Sequence, residues 1–118
     1  MRWDVEGTDE FGGWYDTLSE EEQDAIAAAV ELLIEHGPGL GRPFVDSIKG
    51  SRHHNMKELR PTINDVRILF AFDPRRTAIL LIGGSKRHRW QAWYDEMIPM
   101  ADNLYDAYLE ELRQEGLI

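Results

Sequence analysis

Residues 55–89 read NMKELRPTINDVRILFAFDPRRTAILLIGGSKRHR, and this stretch decides the fold. It holds two apolar runs, Val66–Phe72 and Thr77–Ile82, separated by Asp73-Pro74-Arg75-Arg76. In the first run Val66, Ile68, Phe70 and Phe72 share one face of a strand, while Arg67, Leu69 and Ala71 share the other. Asp73-Pro74 opens a turn, because proline presets the dihedral needed at the second turn position. Ala78–Ile82 is apolar throughout, as suits a central strand covered on both faces. The two runs therefore read as a hairpin. Its closure brings together the basic residues that bracket it, Lys57, Arg60 and Arg67 before and Lys86, Arg87 and Arg89 after.

Working outward, His54–Arg60 reads as a further strand, stopped by Pro61. Residues 37–53 carry four glycines and two prolines and read as a long loop, with a short strand or turn around Phe44–Ile48. Upstream, residues 2–6 alternate weakly as a strand, with Trp3 and Val5 on one face. Thr8 caps a helix over 8–18, whose first turn holds Asp9 and Glu10. Ser19 and Glu22 form a capping box for a stronger helix over 19–36, with Ile26, Val30 and Leu33 on one face. Gly37 ends it and Pro38 prevents continuation. Downstream, Gly83-Gly84 ends the central strand. Ser85 is expected to cap a helix starting near Lys86 or Arg87, and Pro99 to kink that helix or start a new one. The order β, α, α, β, β, β, α describes a single α+β domain over 1–118. A helical hairpin at the N-terminus packs on a small, mainly antiparallel sheet, followed by a C-terminal helix.

The composition fits this. At 118 residues the chain suits one core, and 42% apolar residues is ordinary. No run approaches the roughly 20 apolar residues of a membrane span. The start MRWDVEG has no signal-peptide core, and the absence of cysteine excludes disulfides and thiolate metal sites. A soluble, cytoplasmic protein is expected, with no membrane association.

The net charge of −9 argues at first against a nucleic-acid partner. Its distribution argues the other way. Residues 1–40 hold eleven acidic residues and one arginine, and residues 91–118 hold seven acidic residues and one arginine. Residues 41–90 hold eleven Lys or Arg against four acids. A basic centre between acidic flanks points to one functional face.

Arg67 is the most informative residue, because it interrupts an apolar strand. An arginine there must find solvent, a carboxylate or a ligand anion. Two readings stand: an ion pair with an acidic residue on a helix, or a phosphate clamp using the planar guanidinium fork. Its expected neighbours are Arg60 or Lys57 from one strand and Lys86 or Arg87 from the other. His53, His54 and His88 are candidate proton carriers, each also readable as a plain surface histidine. No carboxylate stands at a metal-site spacing from them, and no metal or other cofactor is expected. Gly83-Gly84-Ser85-Lys86 lacks the spacing of a nucleotide-binding loop, and Ser85 has no triad pattern around it.

The segments KELRP, VRILFAFDPRRTAILLIGGSKR and RWQAWYDEMIPMADNLYDAYLEEL resemble the RelE/ParE superfamily of bacterial toxins, in its HigB-like branch. The resemblance implies the toxin of a type II toxin–antitoxin system. It implies a ribosome-dependent mRNA endonuclease that uses the messenger's own 2′-hydroxyl, without a metal, and so inhibits translation. It also implies a partner, a HigA-like helix-turn-helix antitoxin, in a toxin–antitoxin hetero-oligomer, with ribosome and mRNA as targets. By position, Arg67 matches the family's strand arginine, Arg87 the arginine after the last strand beside Lys86, and Arg60 the Leu-Arg pair closing the earlier strand. The catalytic set is then Arg67, Arg60, Arg87, Lys86 and His88, with Lys57, His54, Arg89 and Lys49 binding RNA. Two departures matter. RelE's two alternating strand lysines fall at Met56 and Glu58, and its C-terminal tyrosine falls at Trp93, with Tyr94 one place later. Two alternatives stay open: a ParE-like gyrase inhibitor, and a catalytically degenerate binding module of the same fold.

Overall fold

The computed structural model describes residues 2–118. Its elements are β1 (Val5–Gly7), α1 (Asp9–Tyr15), α2 (Glu20–His36), β2 (Val45–Ser47), β3 (Lys57–Leu59), β4 (Val66–Phe72), β5 (Ala78–Ser85) and α3 (Trp90–Gln114). The five strands form one sheet in the order β1-β5-β4-β3-β2. Neighbours are antiparallel except β1, which runs parallel to β5. This is the expected α+β architecture.

Local signals place the N-terminal half. The Thr8 hydroxyl accepts from Phe11 N at 3.0 Å, and Ser19 with Glu22 closes a reciprocal capping box. Gly37, at a φ of 56°, ends α2. At the hairpin turn, Asp73 accepts from Arg76 N through its carbonyl and from Thr77 N through its carboxylate.

The sheet is covered on both sides. Ile26, Ala29 and Leu33 of α2 pack with Leu59, Val66, Ile68, Phe70 and Leu80 on one face. Trp93, Met97, Ile98, Ala101 and Tyr105 of α3 pack with Leu69, Ala71, Ile79, Leu81 and Ile82 on the other. Gly83 and Gly84 let the two helical layers close in: a Cβ at Gly83 would stand 2.2 Å from the Trp14 ring, and one at Gly84 2.6 Å from Trp93 Nε1.

The β4–β5 ladder contains a bulge. Leu69 pairs with Ile82, but Phe70 pairs with Leu80, so Leu81 is the extra residue. The bulged strand changes parity there. Ile79 and Leu81 face α3 before it, and Ile82, Gly84 and Lys86 face α3 after it. The Leu81 carbonyl accepts from the Thr8 hydroxyl at 2.7 Å, so the cap of α1 also pins the bulge.

Three expectations need correction. Ser85 does not cap α3: it belongs to β5, pairs with Val66, and donates its hydroxyl to Asn64 O at 2.7 Å. The helix begins later, at Trp90, without a side-chain cap, and it runs through Pro99 as one element. The strand expected over His54–Arg60 is only Lys57–Leu59, because the preceding loop docks on α3, where buried Asp102 accepts from Arg52 N at 3.0 Å.

Candidate active site

The β3–β4 register ends with Leu59 opposite Ile68, and extended by one residue it sets Arg60 opposite Arg67. Gly84 lies beside Arg67 on β5, and Lys86 follows two residues on. Arg60, Arg67 and Lys86 thus meet on the α3 face of the sheet. Glu58, at the centre, pairs with both arginines. Its carboxylate is buried and accepts from Arg60 Nη2 at 2.9 Å and from the Tyr94 hydroxyl at 2.7 Å. Arg67 Nε stands 3.6 Å from it, an ion-pair distance too long for a hydrogen bond. Arg60 also reaches Asp46 at 3.2 Å.

The bland reading of Arg67 is therefore half right. It has a carboxylate partner, but on the neighbouring strand rather than on a helix. It is also under-used: Arg67 Nη1 donates to Val66 O at 2.9 Å, while Arg67 Nε and Arg60 Nε are buried without an acceptor. An orphaned buried donor costs about 1–3 kcal/mol.

The electrostatics follow from the packing. Burial, then the neighbouring Arg67 charge, holds the Lys86 ammonium below the ordinary lysine value, partly offset by Glu58. Its Nζ lies 4.4 Å from the centre of the Trp90 ring and 5.4 Å from that of Tyr94. Burial first, then the hydrogen bond to Glu58, pushes the Tyr94 phenol up to about 12, so it stays protonated near neutrality. A cleft of about 220 Å³ opens beside Glu58 and Tyr94, with Lys49 and Gln91 on its wall. Beside Lys86, Trp90 is 61% exposed, with a φ of 36°. A non-glycine residue held there stores strain of about 1–3 kcal/mol, which functional sites commonly retain.

The other candidates lie apart from this cluster. Arg87 turns to Asp65 and Asn64 at 3.5 and 3.4 Å, Arg89 pairs with Glu96, and His88 is exposed at a φ of 65°. Lys57 points to the opposite face of the sheet, as its odd separation from Arg60 requires. His54 lies in a loop tied to the Phe72 end of β4 through Asn55, at the far end from Arg67. His53 bonds Asp106 on α3 at 2.8 Å and packs edge-on against Tyr105. The residue that sequence reasoning missed is Glu58. Its signal was present: an acid two positions from Arg60 on a strand shares its face, where the resemblance leads one to expect a base. Trp93 is buried under Gly84, so Tyr94 is the aromatic that reaches the site.

These features define a RelE-type toxin fold with a cluster of cations, Arg60, Arg67 and Lys86, on the α3 side of its sheet. The isolated RelE toxin of Escherichia coli superposes with a TM-score of 0.60 at 8% identity, over 81% of this chain and 98% of that one. A chain of the Pyrococcus horikoshii OT3 archaeal RelE–RelB complex gives 0.55 at 15% identity, over 73% and 97%. At these identities the likeness is one of fold. The chain belongs to the phage-derived Gp49-like family (DUF891), whose profile matches residues 13–106, and this family is of the RelE/HigB toxin type. Two proteins of Mycobacterium tuberculosis (strain ATCC 25618 / H37Rv) named as candidate toxins are similar over most of this chain. HigB2 is 50% identical over 83% of this chain and 50% of its own length. HigB3 is 49% identical over 81% of this chain and 84% of its own length. The chain thus spans half of one relative and most of the other.

Proposed function

We propose that this protein is the toxin of a type II toxin–antitoxin pair and cuts mRNA on the ribosome in the cytoplasm. The observation that carries this reading is the convergence of Arg60, Arg67 and Lys86 around Glu58, with the Tyr94 hydroxyl among them. A messenger phosphate lies against the two arginines. As the 2′-hydroxyl attacks phosphorus, the guanidinium donors bind the growing charge more tightly than they bind the ground state. Lys86, whose lowered proton affinity leaves more of it neutral, takes the 2′-hydroxyl proton. The 5′-oxygen leaves with the proton of Tyr94, whose hydroxyl is held in place by Glu58. The products are a 2′,3′-cyclic phosphate and a free 5′-hydroxyl. Glu58 positions these groups, and the exposed Trp90 face offers a base a stacking surface worth about 1–3 kcal/mol. His88, Arg87 and Arg89, exposed on the loop before α3, meet the surrounding RNA. Lys49 does so from the cleft wall. Lys57 and His54 bind RNA only if it wraps beyond the cleft.

The neutralising partner, in this reading, is a HigA-like helix-turn-helix antitoxin. The complex of Methanococcus jannaschii RelB with RelE and that of E. coli DinJ with YafQ join toxins of this fold to antitoxins, which supports a partner antitoxin. The test is primer extension on a translated message after induction, with and without the neighbouring gene. Cuts confined to ribosome-covered message, and lost when the neighbour is co-expressed, are expected. Intact messages with loss of gyrase supercoiling would replace this reading with a ParE-like one.

A further inference from the structure

The eleven acidic residues of positions 1–40 play no part in the chemistry above. Several of them surround the free edge of β1, the outermost strand of the sheet. In its parallel pairing, Asp4 O accepts from Ala78 N and Thr8 N donates to Leu80 O, each at 3.0 Å. Residues 4, 6 and 8 therefore turn their backbone groups toward β5, and the amides and carbonyls of Val5 and Gly7 turn outward. Neither residue has a hydrogen-bond partner on that side among the described residues. Edges kept free in monomers commonly carry lysine or proline as protection, and Val5-Glu6-Gly7 has neither.

Two hollows flank this edge, and Gly7 lines both. On the α2 side is an apolar groove of about 280 Å³ between Phe11, Tyr15, Val30 and Ile34. On the α3 side is a hollow of about 210 Å³ in which Asp9, Glu10 and Glu111 surround Leu104 and Tyr108. Asp9, Glu10 and Glu111 are exposed.

We propose that the β1 edge, with its apolar and acidic flanking hollows, docks an extended segment of a protein partner that is apolar at alternate residues and basic between them. This rests on the toxin–partner reading above and gives the partner its place on the surface. A strand added at β1 sends successive side chains to opposite faces. One set fills the apolar groove and the other meets the carboxylates. The charges are complementary, because a basic segment finds acids on α1 and α3 and, among residues 2–40, only Arg2 as a competing Lys or Arg. β1 pairs with the Ala78 end of β5, whereas Lys86 follows its other end. The segment therefore anchors the partner without itself covering the cations.

The experiment uses the full chain and the purified product of the neighbouring gene. Amide exchange at Val5 and Gly7 is followed by NMR, and affinity by calorimetry. Both amides are expected to become protected in the complex. Val5→Pro removes the outward N–H together with a side chain that packs toward α2 and lines the apolar groove, and should weaken binding about tenfold or more. Glu10→Lys combined with Glu111→Lys, at exposed positions, should weaken it about as much and flatten its salt dependence. The double variant keeps the test valid if Val5→Pro lowers the melting temperature. A tight complex with unprotected Val5 and Gly7 amides, or one indifferent to the charge reversals, overturns the edge as the docking site and leaves the toxin–partner reading standing. No complex at all overturns both.

Discussion

Glu58→Gln tests the account of the cationic cluster most directly. The side chain of Glu58 is 4% exposed and is the shared counter-ion of Arg60 and Arg67. Glutamine keeps the volume and one acceptor for Tyr94, but its amide N–H₂ must face the Arg60 guanidinium, donor against donor. Breaking a buried pair from one side costs about 3–5 kcal/mol. Arg60 is 30% exposed and keeps Asp46 at 3.2 Å, so screening and that second partner reduce the loss to about 2 kcal/mol. For a chain of this size the melting temperature should fall by about 5–10 °C. The variant also leaves Arg60, Arg67 and Lys86 without their central carboxylate, which makes the cluster an anion site. Inorganic phosphate should then restore stability by RT ln(1 + [L]/Kd), about 2.7 kcal/mol at a hundredfold excess over Kd, and should do much less for the native protein. The assay is thermal unfolding of both proteins across a phosphate titration, against chloride at matched ionic strength. A variant that melts within about 1 °C of the native protein, with no phosphate-specific stabilisation, would refute the reasoning.

Arg67→Ala should lower single-turnover cleavage of ribosome-bound message by about 10²-fold or more while the fold survives, and Arg67→Lys should rescue only part of it, because an ammonium lacks the fork; unchanged cleavage by a folded Arg67→Ala protein would make the arginine structural. Lys86 titrates below the ordinary 10.5, so in the alkaline window under that value the unfolded chain binds the proton more tightly than the folded one. Lys86 should therefore add a rise in urea stability with pH through that window, read as the difference between the native and Lys86→Met profiles, because Tyr94, held protonated, adds a fall in the upper part of the same range; a difference that does not rise contradicts the assignment. Thr8→Val strips Phe11 N and Leu81 O of their partner at once and should cost about 2 kcal/mol by chemical denaturation, against a few tenths for Thr17→Val on the exposed turn after α1.

Much of the fold was legible because it is local. The Ser19–Glu22 box, the Thr8 cap, the glycine at 37 and the Asp73-Pro74 turn each act over a few residues, and each stands where the sequence put it. Ser85 failed as a cap for a non-local reason. Its backbone pairs with Val66 and its hydroxyl goes to Asn64, so the ladder and the 62–65 turn took the groups a helix would have used. The strand over 54–60 shortened for a similar reason, because Asn55 spends its side chain on Phe72 O and Arg52 its amide on Asp102.

The sequence by itself determined the hairpin, the basic centre between acidic flanks, and the facing of Arg67 away from Val66 and Ile68. These follow from residue type and the two-residue period of a strand, which need no partner to be read. The tertiary structure alone decided which cations meet. Strict alternation from Ile79 and Leu81 would have sent Lys86 to the α2 face, away from Arg67. One bulge at Leu81 reverses that parity, and the bulge is pinned by a hydroxyl 73 residues upstream, on Thr8. Glu58 finds Tyr94 across 36 residues in the same way. Register and burial are set by such distant contacts, and a one-residue shift moves every later side chain to the other face.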